Sequence, residues 1–209
     1  SSVAEVLALI DYGAGNLHSV ANALKAAGAE GVKVTADPDV VRAADRIVLP
    51  GVGSFKACAE GLRAIPQLVE AMAERVLVGG APFLGICVGM QLMATRGKEH
   101  VVTDGFNWIA GDVEKIEPRD ENLKIPHMGW NETHARPDAA LWRNLVDGTD
   151  FYFVHSYHYD CAKEDVLATC PSYGGIVAAV QRGHLMGVQF HPEKSQKSGF
   201  QLLRNFLAI

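Results

Sequence analysis

Positive charge is in short supply: the 209 residues hold 19 Lys and Arg against 24 Asp and Glu, a formal net charge of −5. That balance lacks the basic surface that attracts nucleic acid or anionic membrane non-specifically, so neither partner is expected. No apolar run approaches the length of a membrane span. The Ser1-Ser2-Val3 start carries no charged-then-apolar signal segment, and the expected location is cytoplasmic. Cysteine is also scarce. Cys58, Cys87, Cys161 and Cys170 make no CxxC pair and are too few for a disulfide framework, in keeping with a reducing compartment. His155 and His158, spaced i and i+3 in a β-rich stretch, point to different faces and have no suitably spaced carboxylate. No metal and no cofactor is expected. Repeats, low-complexity tracts and obvious linkers are absent, and with 48% apolar positions the chain reads as a single domain over 1–209.

What is present is a nucleophile with its partners. Gly85-Ile-Cys-Val-Gly89 follows an apolar run and fits a nucleophile elbow, a strand-to-helix turn too crowded for larger flanking side chains. Cys87 stands at its apex, where the first N–H groups of the following helix favour thiolate. About a hundred residues later comes His191-Pro-Glu193. In an extended segment, side chains at i and i+2 share a side, so Glu193 can orient His191 and fix its tautomer. Nucleophile, base and orienter are the parts of an acyl-transfer site.

Apolar runs at 6–10, 32–35, 46–49 and 82–86 predict strands, and amphipathic stretches at 17–27 and 68–78 predict helices. Strands with little polar alternation, separated by helices, indicate an open, mostly parallel sheet with helices on both faces. From Asp112 onward β-type runs dominate, at 150–159 and in the pair 176–181 and 185–190 joined through Arg182-Gly183-His184, so an antiparallel β portion is added. Ser198-Gly-Phe-Gln201 fits a capping box for a last helix with Phe200, Leu203 and Leu207 on one face. Pro50-Gly-Val-Gly53 follows the third strand at the carboxyl edge that also carries Cys87, where open parallel sheets bind ligands, and its glycines leave peptide groups able to act as oxyanion donors.

Together these pieces resemble the class I, triad-type glutamine amidotransferase family over essentially the whole chain. Within it the chain is similar to the histidine-biosynthesis branch, the glutaminase subunits of imidazole glycerol phosphate synthase. The segments that carry the match are Asp11-Tyr-Gly-Ala-Gly-Asn16, Pro50-Gly-Val-Gly-Ser-Phe55, Gly85-Ile-Cys-Val-Gly-Met-Gln91, Ile125-Pro-His-Met-Gly-Trp-Asn131 and Gly187-Val-Gln-Phe-His-Pro-Glu-Lys-Ser195. Sibling glutaminases of anthranilate or GMP synthesis typically read PGPG at 50–53 and carry histidine in place of Met90.

The resemblance implies that Cys87 attacks the side-chain amide of L-glutamine, that His191 relays the proton and that Glu193 orients His191. It also implies oxyanion donors at the N–H groups of Val52 and Val88, and glutamine held by Gly53, Gln91 and the backbone at Ser156 and Tyr157. Glu99 is implied near the substrate ammonium, although 94–99 departs from the family's usual acidic run. Gln91 lies one helical turn after Cys87, which lets its amide reach a ligand at the nucleophile. The implied partner is a (β/α)8 barrel cyclase, docked at Asn16, Met128, Trp130, Tyr152 and Lys194. Core packing is the alternative reading of Trp130. Alternative readings of the whole are a glutaminase of another class I amidotransferase, a cysteine hydrolase on a similar elbow, or a scaffold subunit without catalysis.

Overall fold

The computed structural model describes residues 5–117 and 122–209, so the Ser1-Ser2-Val3 start lies outside the described residues. The first half lays down strands β1 Leu7–Ile10, β2 Val32–Thr35, β3 Arg46–Leu49 and β4 Phe83–Ile86. Between them run helices α1 Leu17–Ala26, α2 Pro38–Arg42, α3 Phe55–Arg63 and α4 Leu68–Ala73, and the short α5 Val88–Gln91 leaves β4. The second half supplies β5 Arg96–Gly97, β6 Thr103–Asp104, β7 Gly111–Lys115, β8 His127–Glu132, β9 His134–Ala135, β10 Asp150–His155 and β11 Tyr157–Cys161. It ends with β12 Val166–Cys170, β13 Ile176–Arg182, β14 Leu185–Val188 and helix α6 Gln196–Leu207.

One sheet of eight strands runs β2-β1-β3-β4-β14-β13-β12-β9. It is parallel from β2 to β14 and antiparallel from there to β9. The reason is visible in burial: β1, β4 and β14 are buried at every position, as strands covered on both faces must be, whereas edge strand β2 is half open. Two smaller sheets pair β8 with β10 and order β11-β7-β5-β6.

The structure revises several details. The helix expected over 68–78 is α-helical only through Ala73 and continues as a π-helical stretch, Glu74–Val78. The β run expected over 150–159 breaks at Ser156: β10 pairs with β8 in one sheet and β11 with β7 in another. The last helix begins at Gln196, so Ser198 lies inside it and no capping box forms; the Ser198 hydroxyl instead contacts the carbonyls of Asp150 and Ser195. Its buried face is Leu202, Leu203 and Phe206, with Phe200 and Leu207 only partly buried.

A stacked aromatic group braces the ground beneath the site. Phe151 on β10 and Phe190, just before His191, lie 4.0 Å apart between ring centroids and 17° from parallel, with Trp142 and Phe153 against them edge-on. Such packing fixes where the chain leaves β14.

Candidate active site

Cys87 sits between β4 and α5 with φ 56° and ψ −116°, a conformation that is costly for a residue with a side chain and is held only by its surroundings. The surroundings explain the flanking glycines. A Cβ at Gly85 would lie 2.6 Å from the Gly89 carbonyl oxygen, and one at Gly89 would run into the carbonyl of Leu49. The Cys87 N–H donates to the Val188 carbonyl at 2.8 Å, which ties the elbow to β14 and so to the segment that carries His191.

His191 and Glu193 are joined by a 2.6 Å contact between Nδ1 and Oε1, both side chains almost fully buried. The geometry differs from the extended segment expected: Pro192–Lys194 is a 3-10 turn, and its tightness, not strand alternation, brings Glu193 back to the ring. With Nδ1 taken, Nε2 is left for Cys87. Burial by itself would lower the His191 pKa and is the largest single effect. The hydrogen bonds and charges of Cys87 and Glu193 together outweigh it and push the pKa up to about 9. The pair is built to carry an imidazolium beside the sulfur.

Cys87 and His191 open into a cavity of about 310 Å³ whose wall also includes Val52, Gly53, Val88, Gln91, Glu99, Ser156, Tyr157 and Lys194. A larger groove of about 620 Å³ along Ala135 to Asp147 contains no thiol or histidine and lies away from this chemistry. Cys87, His191 and the residues expected around glutamine therefore line one cavity, with Glu193 joined to it through His191. Glu99 is fixed there because its Oε2 accepts the Phe55 N–H at 3.1 Å, at the start of α3.

Two expectations change in detail. The Val88 N–H donates to the Gly51 carbonyl at 3.2 Å. Since the Gly51–Val52 peptide is trans, the Val52 N–H points the opposite way, and the two expected oxyanion donors do not converge. Gln91 does not aim its NH2 into the cavity: that group donates to the Tyr157 carbonyl at 3.2 Å and to Gln189 Oε1 at 3.0 Å, both of them oxygens that can only accept.

Of the expected docking residues, Met128 and Trp130 alternate outward on β8 at 59% and 45% exposure, so Trp130 is not a core residue. Tyr152 pairs with Trp130 across β10 and β8, with ring centroids 6.0 Å apart. Asn16 and Lys194 are exposed.

Some participants escaped the sequence reading. Gln189 reaches the Cys87 sulfur at 3.7 Å; as the i−2 neighbour of His191, it was within reach of the same alternation argument. Tyr12 donates to the Pro50 carbonyl at 2.6 Å and Cys58 to the Val52 carbonyl at 3.2 Å, contacts without a local signature. His155 finds its partner not in His158 but in His127, ring nitrogens 2.9 Å apart. Among the described residues no group of three or more His, Cys, Asp or Glu is arranged to hold a metal ion.

Comparison with known proteins places this geometry. A family model described as glutamine amidotransferase class-I matches residues 8–209. The chain is 53% identical to the imidazole glycerol phosphate synthase subunit HisH of Bradyrhizobium diazoefficiens, covering 96% of this chain and 97% of that relative. It is 50% identical to HisH of Zymomonas mobilis, covering 99% and 97%. Its fold is shared by a glutamine amidotransferase crystal structure at TM-score 0.73 and 18% identity, covering 97% of each chain. The structure of PurLQS from Thermotoga maritima gives TM-score 0.68 and 15% identity, covering 99% of each chain. An elbow cysteine, a carboxylate-held histidine and full-length relatives at this identity agree: the chain belongs to the class I glutamine amidotransferases, among the HisH subunits of imidazole glycerol phosphate synthase.

Proposed function

We propose that Cys87, His191 and Glu193 carry out the glutaminase half-reaction of imidazole glycerol phosphate synthase. The carrying observation is the 2.6 Å His191–Glu193 contact beside Cys87 in the cavity. The Cys87 sulfur attacks the amide carbon of L-glutamine while His191 holds the thiol proton; His191 returns that proton to the departing nitrogen, and ammonia leaves a glutamyl thioester. Water, deprotonated by the same imidazole, attacks the thioester and releases glutamate and the thiol. Glu193 stabilises the imidazolium in both halves. Gly53, Gln91, Ser156, Tyr157 and Glu99 form the glutamine cradle, with the carbonyl oxygen of Gln91 facing the ligand, since its NH2 is engaged elsewhere.

The ammonia passes to a (β/α)8 cyclase partner that docks on Met128, Trp130, Tyr152, Asn16 and Lys194 and makes imidazole glycerol phosphate and AICAR, with the pair working as a heterodimer in the cytoplasm. The same reading makes the present course of the 50–53 segment a resting one, which docking of the liganded cyclase turns over so that the Val52 N–H joins that of Val88. The test is Cys87→Ala in the complex. Glutamine-dependent synthesis should fall at least a thousandfold while ammonia-dependent synthesis stays at the wild-type rate, because only the nitrogen source uses the nucleophile. Equal loss of both would refute the assignment, and release of product from esters or peptides by the wild-type chain would favour a general cysteine hydrolase.

A further inference from the structure

Behind the nucleophile lies a buried row of amides. Gln91 Nε2 donates to the Tyr157 carbonyl and to Gln189 Oε1, and Gln189 Nε2 faces Cys87 Sγ at 3.7 Å. Both side chains are buried, Gln189 completely. A side-chain amide can be turned end for end, but this row has its polarity fixed at one end, because a backbone carbonyl can only accept. Tyr157 requires the NH2 of Gln91; that NH2 requires the oxygen of Gln189; Gln189 is then left with its NH2 toward the sulfur. Reversing either amide would set like groups face to face in a buried site, at a cost of about 1–3 kcal/mol for each unmatched group. The sulfur therefore meets a donor here and the His191 ring on another side. A thiolate, which only accepts, satisfies both.

From this arrangement we propose that Gln189 is a further catalytic residue of the glutaminase reaction, its side-chain NH2 holding the Cys87 sulfur in the anionic form once the thiol proton has moved to His191. Gln189 exchanges no proton: the charge formed on sulfur is matched by the imidazolium, and the amide adds a neutral donor. The inference rests on the glutaminase reading for the reaction it serves. The row also ties the glutamine cradle at Tyr157 and Gln91 to the nucleophile itself, so the group that shapes one end of the substrate site orients the donor at the other.

Alkylation of Cys87 by iodoacetamide reads thiolate reactivity without glutamine turnover. Burial pushes the thiols of Cys58, Cys161 and Cys170 up, so brief labelling is directed to Cys87, and peptide mapping verifies the position. Gln189→Met keeps length and volume and removes the donor. At neutral pH it should slow alkylation about tenfold, as loss of a hydrogen bond to a charged group implies, and move the pH profile of alkylation upward, which a purely structural role would not do. A wild-type rate and profile in a variant that melts like the wild type would overturn the proposal. Should the variant fail to fold, the native chain labelled with 15N in its glutamine side chains decides: the Gln189 NH2 resonance must shift when Cys87 is ionised or alkylated, and an unmoved resonance overturns the proposal. If the wild-type complex releases no glutamate, the functional reading falls instead, while the alkylation and resonance results still decide the role of Gln189.

Discussion

His155 shows how burial sets the chemistry of one side chain. Its Nδ1–H donates to the Tyr157 carbonyl at 2.8 Å, and its Nε2 lies 2.9 Å from His127 Nδ1. Desolvation is the main cause that pushes the His155 pKa down to about 3, and the charges of His127, His158 and His191 press the same way against the Tyr157 hydrogen bond. Because the folded pKa lies below the unfolded value, protons bind the unfolded chain first. The stability due to neutral His155 is complete above pH 6.5 and is lost as pH falls from there toward 3, at about 1.4 kcal/mol per pH unit. His155→Asn should lower stability at neutral pH but flatten the acid limb by that slope in urea titrations; parallel wild-type and variant curves would show that His155 does not control it. The cluster of Cys87, His191 and Glu193 was legible in the sequence because its signals are local: small residues around a cysteine, and a histidine two positions from a glutamate. The His127–His155 contact joins positions 28 residues apart, and no local pattern reports that distance.

At the scale of an element, the 50–53 segment is held carbonyl by carbonyl. Tyr12 holds Pro50, the Val88 N–H holds Gly51, and Cys58 holds Val52. The Gly51–Val52 peptide, whose turning would present the Val52 N–H, is thus bracketed by anchored neighbours. Substitution at Gly51 is a poor probe of this, since a Cβ there would lie 2.8 Å from both Gly89 N and the Tyr12 hydroxyl and would disturb the elbow as well. Tyr12→Phe and Cys58→Ala loosen the segment with little change in volume at the elbow. Each should raise basal glutaminase activity of the isolated chain severalfold and lower the ratio of stimulated to basal activity, because a donor lost from the resting course destabilises it by about 1 kcal/mol or more. Unchanged ratios in both variants would mean that these anchors do not set the resting state. Elements were legible where burial leaves a plain pattern, as in the all-apolar β4, and in α1, which ends one residue before the expected bound. They were obscured where tertiary pairing decides: nothing in residues 150–159 says that Ser156 is where the chain leaves one sheet for another, and the 3-10 turn after His191 depends on the bonds that Ser195 makes.

Those bonds connect the catalytic turn to the face of the whole molecule. The His191 N–H donates to the Tyr152 carbonyl at 2.9 Å, the Tyr152 N–H to Ser195 Oγ at 3.0 Å, and Ser195 Oγ to the His191 carbonyl at 2.7 Å. Tyr152 belongs to the β8–β10 ribbon whose outer face presents Met128 and Trp130, large apolar side chains left open to solvent. A partner seated on that ribbon would press on the strand that holds His191, and Lys194, exposed and lining the cavity, lies on the same path. Packing inside this chain gives Trp130 little reason to be aromatic; a docking surface does, since buried aromatic anchors dominate interface energetics. If the proposed cyclase docks here, Trp130→Ala should weaken its binding by about 2 kcal/mol, roughly thirtyfold in Kd, while moving the melting temperature of the isolated chain little, as expected for a half-exposed side chain. On the same proposal, Lys194→Ala should act more on the stimulation of glutaminase by the partner's ligand than on affinity, because its place is between the exposed ribbon and the cavity. Titration of labelled cyclase against each variant, with melts and stimulated rates measured alongside, separates these effects. Wild-type affinity and wild-type stimulation in both variants would move the interface to another face and leave the exposed ribbon without a function.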